Sequence, residues 1–163
     1  MATTSEAIRA VAAIGESEAA SPATISELAA RLRLAVTRLA RRLRQEAGTD
    51  LSPSQTAALA TIDAHGPLTP SELASVERVQ RPTATRIVAR LEQEGLVERA
   101  ADPADGRSFI VSATAQGRAL IRKLRTRKNA YLARRLRGLD AEEVAALAQA
   151  AEILERLQDG ERG

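Results

Sequence analysis

The sequence predicts a mainly α fold with a small β-wing: a winged helix-turn-helix domain together with a helical dimerisation region. Three observations predict it. Helix-start signatures recur at Ser52-Pro53-Ser54-Gln55, Thr69-Pro70-Ser71-Glu72 and Arg81-Pro82, each with a proline in the first turn, where its missing N–H is not needed. After Gly95 the apolar period changes from helical to strand-like, and Asp102-Pro103-Ala104-Asp105-Gly106-Arg107 lies between two short strands as a hairpin tip would. The chain is 44% hydrophobic but only 1% aromatic, so Leu, Ile, Val and Ala must fill the core, a composition that favours helices.

Residues 1–20 are rich in Ala, Ser, Thr and Glu, with Ile8, Val11 and Ile14 at helical spacing; they form an N-terminal extension whose order the sequence leaves open. A helix opens at Ser21-Pro22 and ends near Gly48, with Leu28, Leu32, Ala35, Val36, Leu39 and Leu43 on one stripe. Its polar face carries Arg31, Arg33, Arg38, Arg41, Arg42 and Arg44, which reads either as a solvated face beside a dimer seam or as a set of phosphate contacts. Ser52 caps the next helix, Gln55 completes a capping box, Ala58, Leu59 and Ile62 point inward, and Gly66-Pro67 ends it. Thr69 caps a shorter helix with Leu73, Ala74 and Val76 inward.

The third helix of this group runs from Arg81-Pro82 to Gly95. At 100° per residue Ala84, Ile87, Val88 and Leu91 share one face, while Pro82, Arg86, Ala89, Arg90 and Gln93 lie opposite, flanked by Thr83 and Thr85. Small side chains beside arginines let such a helix approach base edges, and arginine can donate two hydrogen bonds to guanine. Leu96 to Arg99 and Phe109 to Val111 then read as the two strands. Asp105-Gly106 favours a tight turn that holds Arg107 at the tip. Thr114 caps a long helix with Ala119, Leu120, Leu124, Tyr131, Leu132 and Leu136, ended by Gly138. Asp140-Ala141-Glu142-Glu143 opens the last, striped by Val144, Leu147, Ala151, Leu154 and Leu157. The wing domain offers too little surface to bury these terminal helices, so a second subunit is their expected partner. The organisation is therefore residues 1–20 as extension, 21–48 and 114–163 as helical dimerisation region, and 51–112 as winged helix-turn-helix domain.

The net charge is only +3, yet eleven basic residues face five acidic ones between Arg78 and Arg127, so cationic charge gathers where the wing motif lies. Cysteine is absent, which excludes disulfides, thiol redox sensing and cysteine-ligated metal, and makes an intracellular, cytoplasmic location the economical expectation. The single histidine, His65, sits at a helix end, where interaction with the terminal carbonyls is the simple reading. No apolar run approaches a membrane span and no signal pattern opens the chain. Neither a phosphate-binding glycine loop, a nucleophile-base pair nor a metal cluster appears, so no enzyme activity, cofactor or metal is expected.

The order and motifs resemble the MarR family of bacterial winged-helix transcription regulators. Val79-Gln80-Arg81-Pro82-Thr83-Ala84-Thr85-Arg86-Ile87-Val88-Ala89-Arg90-Leu91-Glu92, running into Gly95-Leu96-Val97-Glu98-Arg99, is similar to the family's recognition helix. The segment 102–107 and Thr114-Ala115-Gln116-Gly117 look like its wing and the start of its long fifth helix. The resemblance implies a homodimer on double-stranded DNA, with two recognition helices in successive major grooves of an inverted repeat about 10 bp apart and each wing in a minor groove. On that basis Pro82, Thr85 and Arg86 are assigned to base reading, and Gln80, Arg81, Thr83 and Arg90 to groove edge and phosphate. Arg107 is assigned to the minor groove, with Asp105, Gly106 and Arg99 shaping the wing; Asp105 would serve through a turn hydrogen bond or an ion pair with Arg99 or Arg107. Pro82 stands where the family often has a polar residue. The resemblance also implies a small-molecule effector. With Phe109 and Tyr131 the only aromatics, an Ala- and Leu-lined cleft with an arginine for a carboxylate fits this chain better than an aromatic-stacked pocket. Whether the regulator represses or activates is left open, with repression the expectation. The competing reading, a winged helix that binds protein rather than an operator, predicts an apolar patch where Arg86, Arg90 and Gln93 stand.

Overall fold

Helix capping decides most of the element boundaries. The computed structural model describes residues 21–103 and 108–159 as α1 (Pro22–Ala47), α2 (Pro53–His65), α3 (Pro70–Val76), α4 (Arg81–Gln93), β1 (Val97–Ala101), β2 (Phe109–Ala113), α5 (Ala115–Leu136) and α6 (Ala141–Asp159). Both expected capping boxes form: Ser52 with Gln55, and Thr69 with Glu72. Thr114 caps α5 by accepting from the Gly117 N–H at 3.1 Å.

The chain divides into two units at Arg41/Arg42. In the first, the described residues are the leading turns of α1, where Ile25, Leu28, Leu32, Val36 and Leu39 form an exposed stripe, each at least 40% accessible. The second unit holds the core, in which Leu59, Ile62, Leu73, Val88, Leu91 and Val111 are fully enclosed. Leu59 and Ile62 come from α2, Leu73 from α3, Val88 and Leu91 from α4, and Val111 from β2, so one cluster fixes the helix-turn-helix against its wing. The strands pair antiparallel with Val97 opposite Ala113, Arg99 opposite Val111 and Ala101 opposite Phe109. Leu68 adds a third short rung by exchanging two backbone hydrogen bonds with Val111 (3.1 and 2.8 Å).

Two chain reversals orient α4. At its C-terminus the Leu96 N–H bonds the Leu91 carbonyl and the Gly95 N–H bonds the Glu92 carbonyl, both at 2.9 Å, a Schellman closure that needs the φ of +70° adopted by Gly95. The end of α3 closes the same way, Val79 N–H to Ala74 O and Arg78 N–H to Ser75 O. Here the left-handed position, φ +51°, is filled by Arg78.

Two apolar assignments differ from expectation. Val76 is 49% exposed: in a seven-residue helix, Leu73 and Ala74 already occupy the inward arc. In α5 the buried set is Gly117, Ile121, Leu124 and Tyr131, while Ala119 and Leu136 are exposed. The cause is the approach at Gly117, where α5 lies so close to the Leu96 backbone that this contact sets the rotation of the helix.

Candidate nucleic-acid interface

Burial of Ala84, Val88 and Leu91 turns the opposite side of α4 outward. Gln80, Arg81, Pro82, Arg86 and Arg90 are exposed, whereas Thr83 and Thr85 are half-buried. The wheel thus separates the helix as the sequence predicts, with Ile87 at the boundary. Gln80 is the N-cap residue, but its side chain makes no capping bond. The Thr85 hydroxyl donates to the Arg81 carbonyl at 3.0 Å, which leaves its methyl and oxygen lone pairs for a ligand. Arg86 Nη2 reaches Thr83 Oγ1 at a long 3.4 Å, so its fork stays largely uncommitted. Arg90 is held more firmly, by Glu94 at 3.1 Å and Gln93 at 3.5 Å.

A surface groove of about 220 Å³ runs along this side of α4, lined by Ser52, Gln55, Thr83, Arg86, Ile87 and Arg90. Ser52 is the N-cap of α2 and Gln55 lies in its first turn, a stretch read in the sequence only as a helix start. Only the packing of α2 on α4 brings them beside the arginines, so no local pattern could have marked them. Among the wing assignments, Arg99 lies on β1, paired with Glu92 of α4 at 2.9 Å and stacked over Phe109 at 4.5 Å. Asp105, Gly106 and Arg107 lie outside the described residues.

Elsewhere, His65 is the exposed last residue of α2. Among the described residues no group of three or more His, Cys, Asp or Glu side chains is placed to hold a metal ion, and no helix is long and apolar enough to cross a membrane. At the other end of α2, Arg127 of α5 donates to the Ala47 carbonyl (2.9 Å) and, at a longer 3.3 Å, to the Gly48 carbonyl, satisfying the end of α1. Beside it a cavity of about 270 Å³ is lined by Arg44, Thr49, Leu51, Pro53, Thr56 and Lys128 among others.

The capping box beneath the helix-turn-helix gives a pH-dependent stability. Glu72 accepts from the Thr69 N–H at 2.7 Å and the Thr69 hydroxyl at 2.8 Å, and these bonds, the backbone one first, lower its pKa below the ordinary glutamate value. A depressed folded-state pKa contributes stability that is present above the unfolded value and lost as pH falls through the folded one. Glu72→Gln therefore flattens the acid side of the stability-pH curve, as urea midpoints measured from pH 6 downward will show; an unchanged slope would refute the assignment.

A helix-turn-helix with an arginine-bearing outer face, backed by a paired hairpin, defines a winged-helix DNA-binding protein. Known proteins similar to this chain are of that class. Residues 51–109 match the MarR family. An uncharacterised HTH-type transcriptional regulator of Mycobacterium bovis is 40% identical over 135 residues, covering 82% of this chain and 94% of that protein. The HTH-type transcriptional repressor MdtR of Bacillus subtilis is 34% identical, over 69% of this chain and 77% of its own. Among solved structures, a MarR family protein from Bacillus stearothermophilus superposes with a TM-score of 0.76 at 25% identity, over 86% of this chain and 99% of that one. The chain belongs to the MarR family of DNA-binding transcription regulators, and its function is regulation rather than catalysis.

Proposed function

We propose that this chain is an operator-specific repressor that binds an inverted repeat as a homodimer and responds to a small anionic effector. The observation that carries the DNA-reading part is the outer face of α4, where Arg86 is exposed with a single long hydrogen bond between half-buried threonines and exposed Pro82. Pro82, Thr85 and Arg86 read bases, while Gln80, Arg81, Thr83 and Arg90 meet groove edge and phosphate; a phosphate in the groove would also meet Ser52 and Gln55. Arg107, with Asp105 and Gly106, is kept as the wing-tip element for the minor groove. The repressor reading is supported by the likeness to MdtR.

Dimerisation is supported by apolar surface left uncovered in the single chain. Besides the α1 stripe, Val144, Leu147 and Leu157 of α6 are 43%, 48% and 65% exposed, and monomeric proteins rarely leave such stripes open to water. Deleting residues 140–163 is expected to give monomers in sedimentation velocity and to abolish tight operator binding; dimers that persist would remove α6 from the seam. Effector binding is supported by the cavity beside α2, where Arg44 and Lys128 stand with no carboxylate in the lining, as a carboxylate ligand requires. The first turn of α2 serves both places: Pro53 and Thr56 line the cavity, and Ser52 and Gln55 line the groove beside Arg86. A ligand that displaces this turn changes the DNA face directly.

The test is selection of duplexes from a random-sequence pool by the purified protein, followed by footprinting. Two protected half-sites centred about 10 bp apart support the reading. Binding without sequence preference would overturn it.

A further inference from the structure

An arginine on the inner face of the hairpin ties the two DNA-facing elements together. Alternation along β1 puts Arg99 on the same side as Val97, and the residues opposite them, Val111 across from Arg99 and Ala113 across from Val97, are, like Val97, buried. The Arg99 side chain is accordingly only 30% exposed. Its guanidinium lies 4.5 Å from the centre of the Phe109 ring on β2 and 2.9 Å from Glu92 Oε2 in the last turn of α4. One side chain thus touches both strands and the helix. A planar, delocalised cation suits this place, since it stacks on an aromatic face while its edge donates to a carboxylate. Lysine, a compact ammonium, can sit over the ring or pair with the carboxylate but has no planar edge to do both at once.

We propose that Arg99 is a positioning residue that locks the β1–β2 hairpin to α4, so that wing and recognition helix engage a DNA half-site as one body. This rests on the DNA-reading role given to α4. The Schellman closure at Gly95 fixes where β1 begins, but a two-stranded hairpin can still swing about that turn. Glu92 and Arg99 close a second link seven residues apart, and Phe109 extends it to the far strand. Because the link is partly exposed, it contributes little to global stability; its effect falls on the relative placement of the two elements.

Glu92 makes the role testable, because charge and position predict opposite signs. Removing a carboxylate beside a DNA-binding helix strengthens binding if only long-range attraction matters. If Glu92 anchors the wing through Arg99, Glu92→Ala weakens it. The measurement is the affinity and hydroxyl-radical footprint of full-length protein on the duplex that the wild type selects from a random-sequence pool. Glu92→Ala and Arg99→Ala are each expected to bind roughly 2- to 30-fold more weakly and to lose protection in the outer minor groove while keeping it in the central major groove. Their melting temperatures should stay within about 4 °C of wild type. Arg99→Lys, which keeps the charge for Glu92 but loses the flat stack on Phe109, should fall between wild type and Arg99→Ala. Tighter binding by Glu92→Ala, near-wild-type binding by Arg99→Lys, or a uniform loss of protection with a lowered melting temperature would each overturn the proposal while leaving the DNA reading intact. A wild-type protein that enriches no sequence overturns both.

Discussion

Arg86→Ala should leave a folded protein that still binds DNA but no longer distinguishes its operator from other sequence. The fold is indifferent because the side chain is exposed and makes one marginal bond, to Thr83, and such surface changes alter stability by about 0.5 kcal/mol or less. The binding loss is large because a bidentate arginine-guanine contact is worth about 1–3 kcal/mol of discrimination. A twofold dimer loses it twice, roughly 30- to 20,000-fold in operator Kd. Salt titration separates the two roles an arginine can play here. A base reader leaves the slope of log K against log salt unchanged, whereas a phosphate contact lowers it by about 0.9 per lost contact. Arg86→Lys adds a second check: lysine keeps the charge and loses the fork, so it should also fail to discriminate. Unchanged operator affinity in Arg86→Ala would move base reading elsewhere on α4.

Gly117→Ala is expected to destabilise the protein by about 2–4 kcal/mol, lowering Tm by roughly 5–15 °C in a thermal melt followed by circular dichroism. Helix propensity alone predicts the opposite sign, since alanine is better than glycine by about 1 kcal/mol in a helix. The tertiary contact prevails. A Cβ at this position would stand 2.1 Å from the Leu96 carbonyl oxygen and 3.3 Å from Leu59 Cδ1. The Leu96 oxygen cannot yield freely, because it accepts the Thr114 N–H at 3.0 Å while the Thr114 hydroxyl donates to the Gly95 carbonyl at 2.7 Å. Relief therefore requires α5 to move off the start of β1, opening the core at Ile121 and Leu124. An unchanged or raised Tm would contradict the close approach.

These two substitutions mark where the sequence is readable and where it is not. Local chemistry was legible. Ser52 with Gln55, and Thr69 with Glu72, cap their helices as their spacing predicts; Gly95 closes α4; and the 3.6-residue period of α4 separates Ala84, Val88 and Leu91 from Arg86 and Arg90. Each of these depends on residues within a turn or two of one another, where hydrogen-bond geometry and helical phase leave few alternatives. Val76 shows the limit, since seven residues are too few for a period to fix the facing side.

What the sequence by itself determined is therefore the element order, the caps and the face of α4 that carries arginine, and with them the family. Tertiary structure decided which partners those residues meet. It placed Ser52 and Gln55 beside Arg86 and Arg90, gave Arg99 both Glu92 and Phe109, capped α1 with Arg127 from eighty residues downstream, and turned a helix-start glycine into a required void against Leu96. The physical reason is range: capping and periodicity act over three to seven residues, whereas these contacts are set by how rigid helices and a twisted hairpin pack around one shared core, information that no local window contains.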